Sequence, residues 1–478
     1  MEYTELSAYP LPAGTTTCWT PRAGVGSWAP DPRELSYDHE AHLACAGAGS
    51  WIGSVLRMPF RYDAGALRRT LRAWTVRHEV LRTSVEPVHD ASGRRTSWSR
   101  VTCPPDAVDV DRSAPVSGTA DEARATVLAA FEQIGPQRWP HVLFASIEPE
   151  PEPGAAGPDD APGFTLLFGA DHSVMDAYSQ LLWFDEVTAL YERALAGDSD
   201  RELAALDVGS HVDFAAFDRR LGMLVSAEDQ AVTAWRGFLG PELTFPAYPD
   251  PALARRPGDA PDGAVQHSSS TWVLDAERTR AVDALCRAQG TGLQSAVLGL
   301  LAGAVRRRTG ATSTAFVLPL HTRHEPRYAG SVGWYVGLCP VRIDVADHAT
   351  TADLVAAAHT AVRASKHLAS RPFARVAQLL GVRDAPRFVV SYVDVRRVPG
   401  ADRWDEWQAR TLRSAVPDGD EVYLWVIRSE HGLNVSARCP AGAVPAARLA
   451  DLVACLGDLL DEAAGGAGSA LVGATVTA

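Results

Sequence analysis

The residues best suited to move a proton lie in Asp171-His172-Ser173-Val174-Met175-Asp176-Ala177. Phe164–Ala170 reads as a strand, and the chain from about Asp176 to Ala196 reads as a helix closed by Gly197, so the histidine falls on a strand-to-helix connection. Loops held between rigid elements present reactive groups, and an imidazole with an ordinary pKa of ~6.5 exchanges protons near neutrality. His172 is therefore a general-base candidate. Asp176, four residues on, either orients that ring or turns away to pair with a distant cation, and spacing allows both. The structural alternative is a packed histidine followed by an aspartate that the helix dipole favours at an amino terminus.

Further segments carry polar groups of similar kind. Leu318-Pro-Leu-His-Thr-Arg323 follows a strand and precedes Gly330-Ser-Val-Gly-Trp334-Tyr335-Val-Gly-Leu-Cys-Pro340-Val-Arg342, while Arg77-His78-Glu79-Val80-Leu81-Arg82-Thr83 closes a helix in the first half. His321 and His324 form an HxxH pair beside Pro319 and Pro326 with no third ligand at a compatible spacing, so no metal site is expected. Trp334 and Tyr335 stand at a strand start, as tunnel lining or as core. Arg77, His78 and Arg82 are assigned to holding a helix end against a strand. Arg396 and Arg397 read as a solvated pair, with an acidic partner surface as the alternative.

The elements that must position these groups come from 478 residues, 46% hydrophobic and 22% charged, enough for two domains with a large core. The formal charge of −13 (45 basic against 58 acidic side chains) repels phosphate backbones and argues against nucleic acid. Glu2 and Glu5 stand where a secretory signal needs basic residues, so a cytoplasmic location is expected. The longest apolar stretch, Leu293–Val305, is too short to span a membrane and reads as a buried helix before Arg306, Arg307 and Arg308. Seven scattered cysteines without a CxxC pair read as reduced packing residues. The Pro/Gly-rich stretch 240–265 separates a half at 1–239 from one at 266–464, leaving a frayed tail at 465–478. Glu148–Gly163 reads as a solvated loop between neighbouring strands. Asp63 caps a helix carrying Leu67, Leu71 and Trp74, with a strand from about Leu81. Asp275 precedes another helix, and Thr314–Leu320 reads as a strand. Glu421–Arg428 and Leu433–Arg438 flank a hairpin turn at Ser429-Glu430-His431-Gly432. Both halves are thus α/β.

Taken together, the order and separation of these segments resemble the condensation-domain superfamily. Asp171–Ala177 is similar to its HHxxxDG motif, Arg77–Thr83 to its RHxxLRT segment and Gly333–Pro340 to its GxFxNxxP-type strand. Thr17-Cys18-Trp19-Thr20, Pro372-Phe373, Val390-Ser391-Tyr392-Val393-Asp394 and Trp425-Val426-Ile427-Arg428 resemble the free-standing, polyketide-associated actinobacterial acyltransferases within it. The resemblance covers essentially the whole chain.

It implies two chloramphenicol acetyltransferase-like subdomains in a V-shaped arrangement with a tunnel between them. His172 matches the second histidine of the motif, placed midway along that tunnel. Asp176 matches the motif aspartate, which pairs structurally with an arginine, here Arg323. Asp171 replaces the usual first histidine and Ala177 the usual glycine. A carboxylate at 171 raises the pKa of His172 if it lies within hydrogen-bonding reach, and Ala177 requires backbone that tolerates a Cβ.

The implied reaction moves an acyl group from a phosphopantetheine thioester, on a carrier protein or coenzyme A, to a hydroxyl or amine in natural-product or complex-lipid biosynthesis. His172 acts as general base, backbone N–H groups near its loop meet the oxyanion, and no cofactor is bound. The lack of a GxSxG elbow agrees with direct transfer. A monomer is expected. The alternatives are a catalytically silent protein that recruits a carrier or partner enzyme, and an epimerase of carrier-bound aminoacyl groups.

Overall fold

The computed structural model describes residues 1–45, 50–150, 163–205, 207–251, 253, 264–415 and 419–465. Two large sheets organise them. The first has eight strands, ordered Tyr3–Glu5, Arg410–Arg413, Trp51–Met58, Phe164–Asp171, Val142–Pro149, Gly14–Ala23 and Val108–Arg112, with Val116–Gly118 also pairing with Gly14–Ala23. The second has six, ordered His267–Asp275, Gly432–Cys439, Val422–Ser429, Phe388–Asp394, Ser313–His321 and Val336–Asp344. A three-stranded sheet of Ala29–Asp31, Arg95–Thr102 and Thr83–His89 stands apart from both.

Phe164–Asp171 is buried at every position because it has antiparallel neighbours on both edges and helices over the sheet, which explains its unbroken apolar run. Its partners are Trp51–Met58 and Val142–Pro149, so the strands on either side of the Glu148–Gly163 segment are neighbours as the sequence predicts; 151–162 lie outside the described residues. Strand Arg410–Arg413 comes from the second half of the chain yet inserts into the first sheet, antiparallel to Trp51–Met58 and parallel to Tyr3–Glu5. The two sheets are therefore tied by the backbone itself, which a sequence division at 240–265 does not express.

Helix ends follow local chemistry. Asp63 caps Ala64–Arg77 by accepting from the Ala66 N–H at 2.8 Å, and Leu67, Leu71 and Trp74 are buried. Helix Ala177–Ala196 ends at Gly197, whose φ of 94° is the left-handed conformation that glycine adopts without strain. The strand expected from Leu81 starts at Thr83, after a short turn at Glu79–Arg82. Leu293–Thr309 is a helix buried along almost its whole length, and it absorbs the three arginines; Arg306 is itself buried and donates to the Val345 carbonyl at 3.0 Å. Among the described residues, no helix is long and apolar enough to cross a membrane.

In the 240–265 stretch, residues 252 and 254–263 lie outside the described residues. Phe245, Tyr248 and Leu253 are buried, so the segment packs on the second half instead of hanging free. The final helix runs Ala443–Gly465, and the tail at 466–478 lies outside the described residues. Among the described residues, Cys18, Cys103, Cys286, Cys339, Cys439 and Cys455 form no disulfide.

Candidate active site

His172 sits where the fully buried strand Phe164–Asp171 meets a single turn, His172–Val174. Asp171 caps that turn, accepting from the Ser173 N–H at 2.8 Å, and Asp176 caps the following helix, accepting from the Ser179 N–H at 2.8 Å. Two aspartate caps five residues apart fix the loop. Ala177 is the first residue of that helix, so its backbone is of the kind any side chain adopts, which removes the need for glycine there.

The His172 ring is half-buried and packs on Trp334, with ring centroids 4.8 Å apart. Its Nδ1 is buried without a hydrogen-bond partner, while Nε2 is not walled in. Burial, followed by the nearby His42, pushes its pKa below the ordinary histidine value, which outweighs the attraction of Asp176 and Asp171. The ring is therefore neutral at physiological pH, as a general base must be.

The hydrogen-bonding reach to His172 set as the condition for Asp171 is not met, though its charge still acts to raise the His172 pKa. Its carboxylate turns away from His172 to His42, on helix Tyr37–Cys45, whose Nε2 lies 3.0 Å from Oδ1. Burial opposes its ionisation, yet the His42 and Ser173 contacts hold its carboxyl down at about 2. An anion at Asp171 thus requires His42 to donate through Nε2–H. His42 also packs edge-on against Trp334 at 5.5 Å, so both imidazoles flank one indole.

Asp176 resolves the choice that spacing left open. It binds Arg323 in a fork, Nη1 to Oδ2 at 2.7 Å and Nη2 to Oδ1 at 3.0 Å, and also accepts from the Tyr335 N–H at 3.0 Å. Burial raises its pKa, but the Arg323 charge and these donors prevail and hold it below the usual carboxylate range. Arg323 also donates to Ser179 Oγ at 2.7 Å, and that hydroxyl in turn donates to the Gly333 carbonyl and accepts from the Gly333 N–H. Asp176 and Ser179 thus fasten helix Ala177–Ala196 to the 323–335 segment of the second half.

Trp334 lines a small opening at this junction, together with His211 and Thr322. Tyr335 does not: its ring is fully buried against the Arg323 guanidinium, 4.2 Å from its centroid, and its hydroxyl is 2.7 Å from Ser331 Oγ. Tyr335 is core because its backbone N–H must reach Asp176, which turns its side chain inward. Gly333 is required by contact, since a Cβ there would fall 2.3 Å from His211 Cγ.

Arg77 and His78 both bind Glu186, at 2.7 Å and 2.8 Å, and Arg82 donates to the Cys103 carbonyl at 2.7 Å, all in structural positions. Arg396 pairs with Asp394 at 2.7 Å and Arg397 is exposed. His321 and His324 lie with ring centroids 6.4 Å apart, and no group of three or more His, Cys, Asp or Glu side chains suited to a metal occurs among the described residues. Sequence reasoning missed His42, Ser179 and His211, whose contacts lie far along the chain and whose local sequence carries no motif.

Three comparisons bear on this geometry. The condensation-domain family model matches residues 160–391. Acyltransferase PapA3 of Mycobacterium tuberculosis is 27% identical over 308 residues, covering 63% of this chain and 64% of that protein, so the chain aligns with less than two thirds of this curated relative's length. Among solved structures, one described as PapA2 acyl transferase superposes with a TM-score of 0.82 at 20% identity, over 97% of this chain and all of the other. The first condensation domain of the CDA synthetase gives 0.67 at 17% identity, over 93% and 97% of the two chains. At such identities the solved structures speak for the fold, and they agree with the motif match centred on Asp171–Ala177. Residues 160–391 of this chain are thus similar to the condensation-domain family.

Proposed function

We propose that this protein is a condensation-type acyltransferase that moves an acyl group from a thioester to a hydroxyl or amine, with His172 as general base. The observation that carries the reading is a neutral imidazole on a doubly capped loop, its Nε2 left open and its far side braced by the Asp176–Arg323 fork. A thioester is already activated, so the protein must hold acceptor and carbonyl together and take the acceptor's proton. In this reading Nε2 of His172 removes that proton during attack, then returns it to the departing thiolate. No acyl-enzyme intermediate is needed.

In this reading the donor is a phosphopantetheine thioester on a carrier protein or coenzyme A, and it approaches His172 between the halves. The acyltransferase names of PapA3 and PapA2 support the reaction class. The test is turnover of acyl thioesters followed by intact mass, comparing wild type with His172→Ala. A general base contributes ~10²–10⁴-fold, so turnover should fall by about that factor with the fold retained. Near-normal turnover in the variant removes His172 from the chemistry, and a wild type that consumes no thioester supports the silent, recruiting alternative.

A further inference from the structure

Asp171 stands one residue before the base, where a carboxylate works against the chemistry. Its side chain is 0% exposed, and an anion that close favours a protonated, idle imidazole over a neutral one. Oδ1 accepts from the Ser173 N–H at 2.8 Å and lies 3.0 Å from His42 Nε2, while Oδ2 is buried without a partner. His42 is thus the one group able to carry positive charge that is bonded to this carboxylate among the described residues.

His42 and His172 meet the same indole, with ring centroids 5.5 and 4.8 Å from that of Trp334. The backbone on either side of that indole is pinned: the Trp334 carbonyl accepts from His211 Nε2 at 3.0 Å, and the next N–H, of Tyr335, donates to Asp176. An aromatic ring screens charge far less than water does, so the state of one imidazole is felt at the other. The other ionisable groups around the pair are engaged or uncharged. Asp176 is bound to Arg323, and burial keeps His39, His141 and His211 neutral at physiological pH. On the His42 helix, Glu40 binds Arg219 at 2.6 Å and Asp38 accepts from the Ala374 N–H at 3.0 Å. Burial depresses the His172 pKa most; His42 lowers it further, and Asp176 and Asp171 pull the other way. Without His42, the side-chain charges acting on His172 would be those two carboxylates.

We propose that His42 is a positioning residue for the base: it takes up the Asp171 carboxylate and offsets its charge, so that an aspartate can precede His172 without holding a proton on it. Asp171 caps the His172–Val174 turn and so shapes the loop, and His42 removes the electrostatic drawback of using a carboxylate for that cap. In acyl transfer the acceptor's proton goes to His172 Nε2, and His42 acts only by keeping that nitrogen free to take it. The catalytic consequence rests on the acyl-transfer reading; the coupling of the two imidazoles does not.

The experiment is a pH titration of the full chain, isotope-labelled at histidine Cε1 and followed by NMR, with the His172 signal assigned by its loss in His172→Gln. His42→Gln keeps an N–H for Asp171 and carries no charge, so the His172 midpoint should rise by about 0.5 pH units or more. Adding Asp171→Asn removes the anion but keeps an oxygen for the Ser173 N–H, and should reverse about half of that rise or more. Asp121→Asn, at a side chain 92% exposed, should leave the midpoint where it is. A midpoint in His42→Gln that stays or falls overturns the proposal. So does a double variant that rises as far as the single, since loosened packing and not charge would then be responsible. Turnover reports separately: the acid limb of kcat should follow the NMR midpoint in each variant. A wild type with no turnover, or a limb that ignores the midpoint, counts against the acyl-transfer reading, while the titration still decides the role of His42.

Discussion

Replacing Asp176 by alanine should be among the most damaging single changes available to this chain. The carboxylate accepts from Arg323 at 2.7 and 3.0 Å, from the Ser179 N–H at 2.8 Å and from the Tyr335 N–H at 3.0 Å. Its loss leaves the Arg323 side chain, 3% exposed, with a buried and uncompensated charge. Breaking one partner of such a pair costs ~3–5 kcal/mol, and the lost helix cap adds ~1 kcal/mol. Arg323→Ala strands the opposite charge, at ~3–5 kcal/mol, though the two backbone donors still serve Asp176. The double variant buries neither charge, so its destabilisation should fall short of the sum of the singles by ~2–3 kcal/mol. Urea denaturation at pH 7.5, followed by tryptophan emission, measures all four proteins. Asp176 has a folded pKa below its unfolded value, so its contribution is complete at that pH and fades only as pH falls below ~4. Additivity within ~0.5 kcal/mol would refute the direct coupling on which the anchoring of the His172 loop depends.

The rate of acyl transfer should show an acid limb below the ordinary histidine pKa of ~6.5, because burial and His42 depress His172 and it must be neutral to accept a proton; a limb centred above that value, read from kcat against pH, contradicts the environment described. Stability should also fall as pH drops below ~6.5, since the unfolded chain binds protons that His39, His141, His172 and His211, the last depressed to about 3, refuse when folded. Asp218 works in the opposite sense: its folded pKa of about 8 favours the folded state at acid pH and penalises it as pH rises, so Asp218→Asn should raise the melting temperature most above pH 8, and no gain there counts against the buried carboxyl. Gly333→Ala places a Cβ 2.3 Å from His211 Cγ and should cost at least ~1–3 kcal/mol by urea denaturation.

What the sequence could declare was local. The buried strand Phe164–Asp171, the Asp63 cap, the Gly197 stop and the two-residue hairpin at Glu430-His431 all rest on contacts within a few residues, where periodicity and capping chemistry operate. The spacing of Asp171, His172 and Asp176 likewise put them on one loop and carried the resemblance to the condensation-domain superfamily.

The tertiary structure decided where those side chains go. Asp176 reaches Arg323 across 147 residues and Asp171 reaches His42 across 129, so neither partner is encoded in the local pattern. Strand Arg410–Arg413 joins the sheet of the other half because that edge supplies a backbone ladder, a requirement no side-chain periodicity announces. Tyr335 and Trp334 are adjacent in sequence yet one is core and the other lines the opening, since the Asp176 bond to the Tyr335 N–H sets the direction of each.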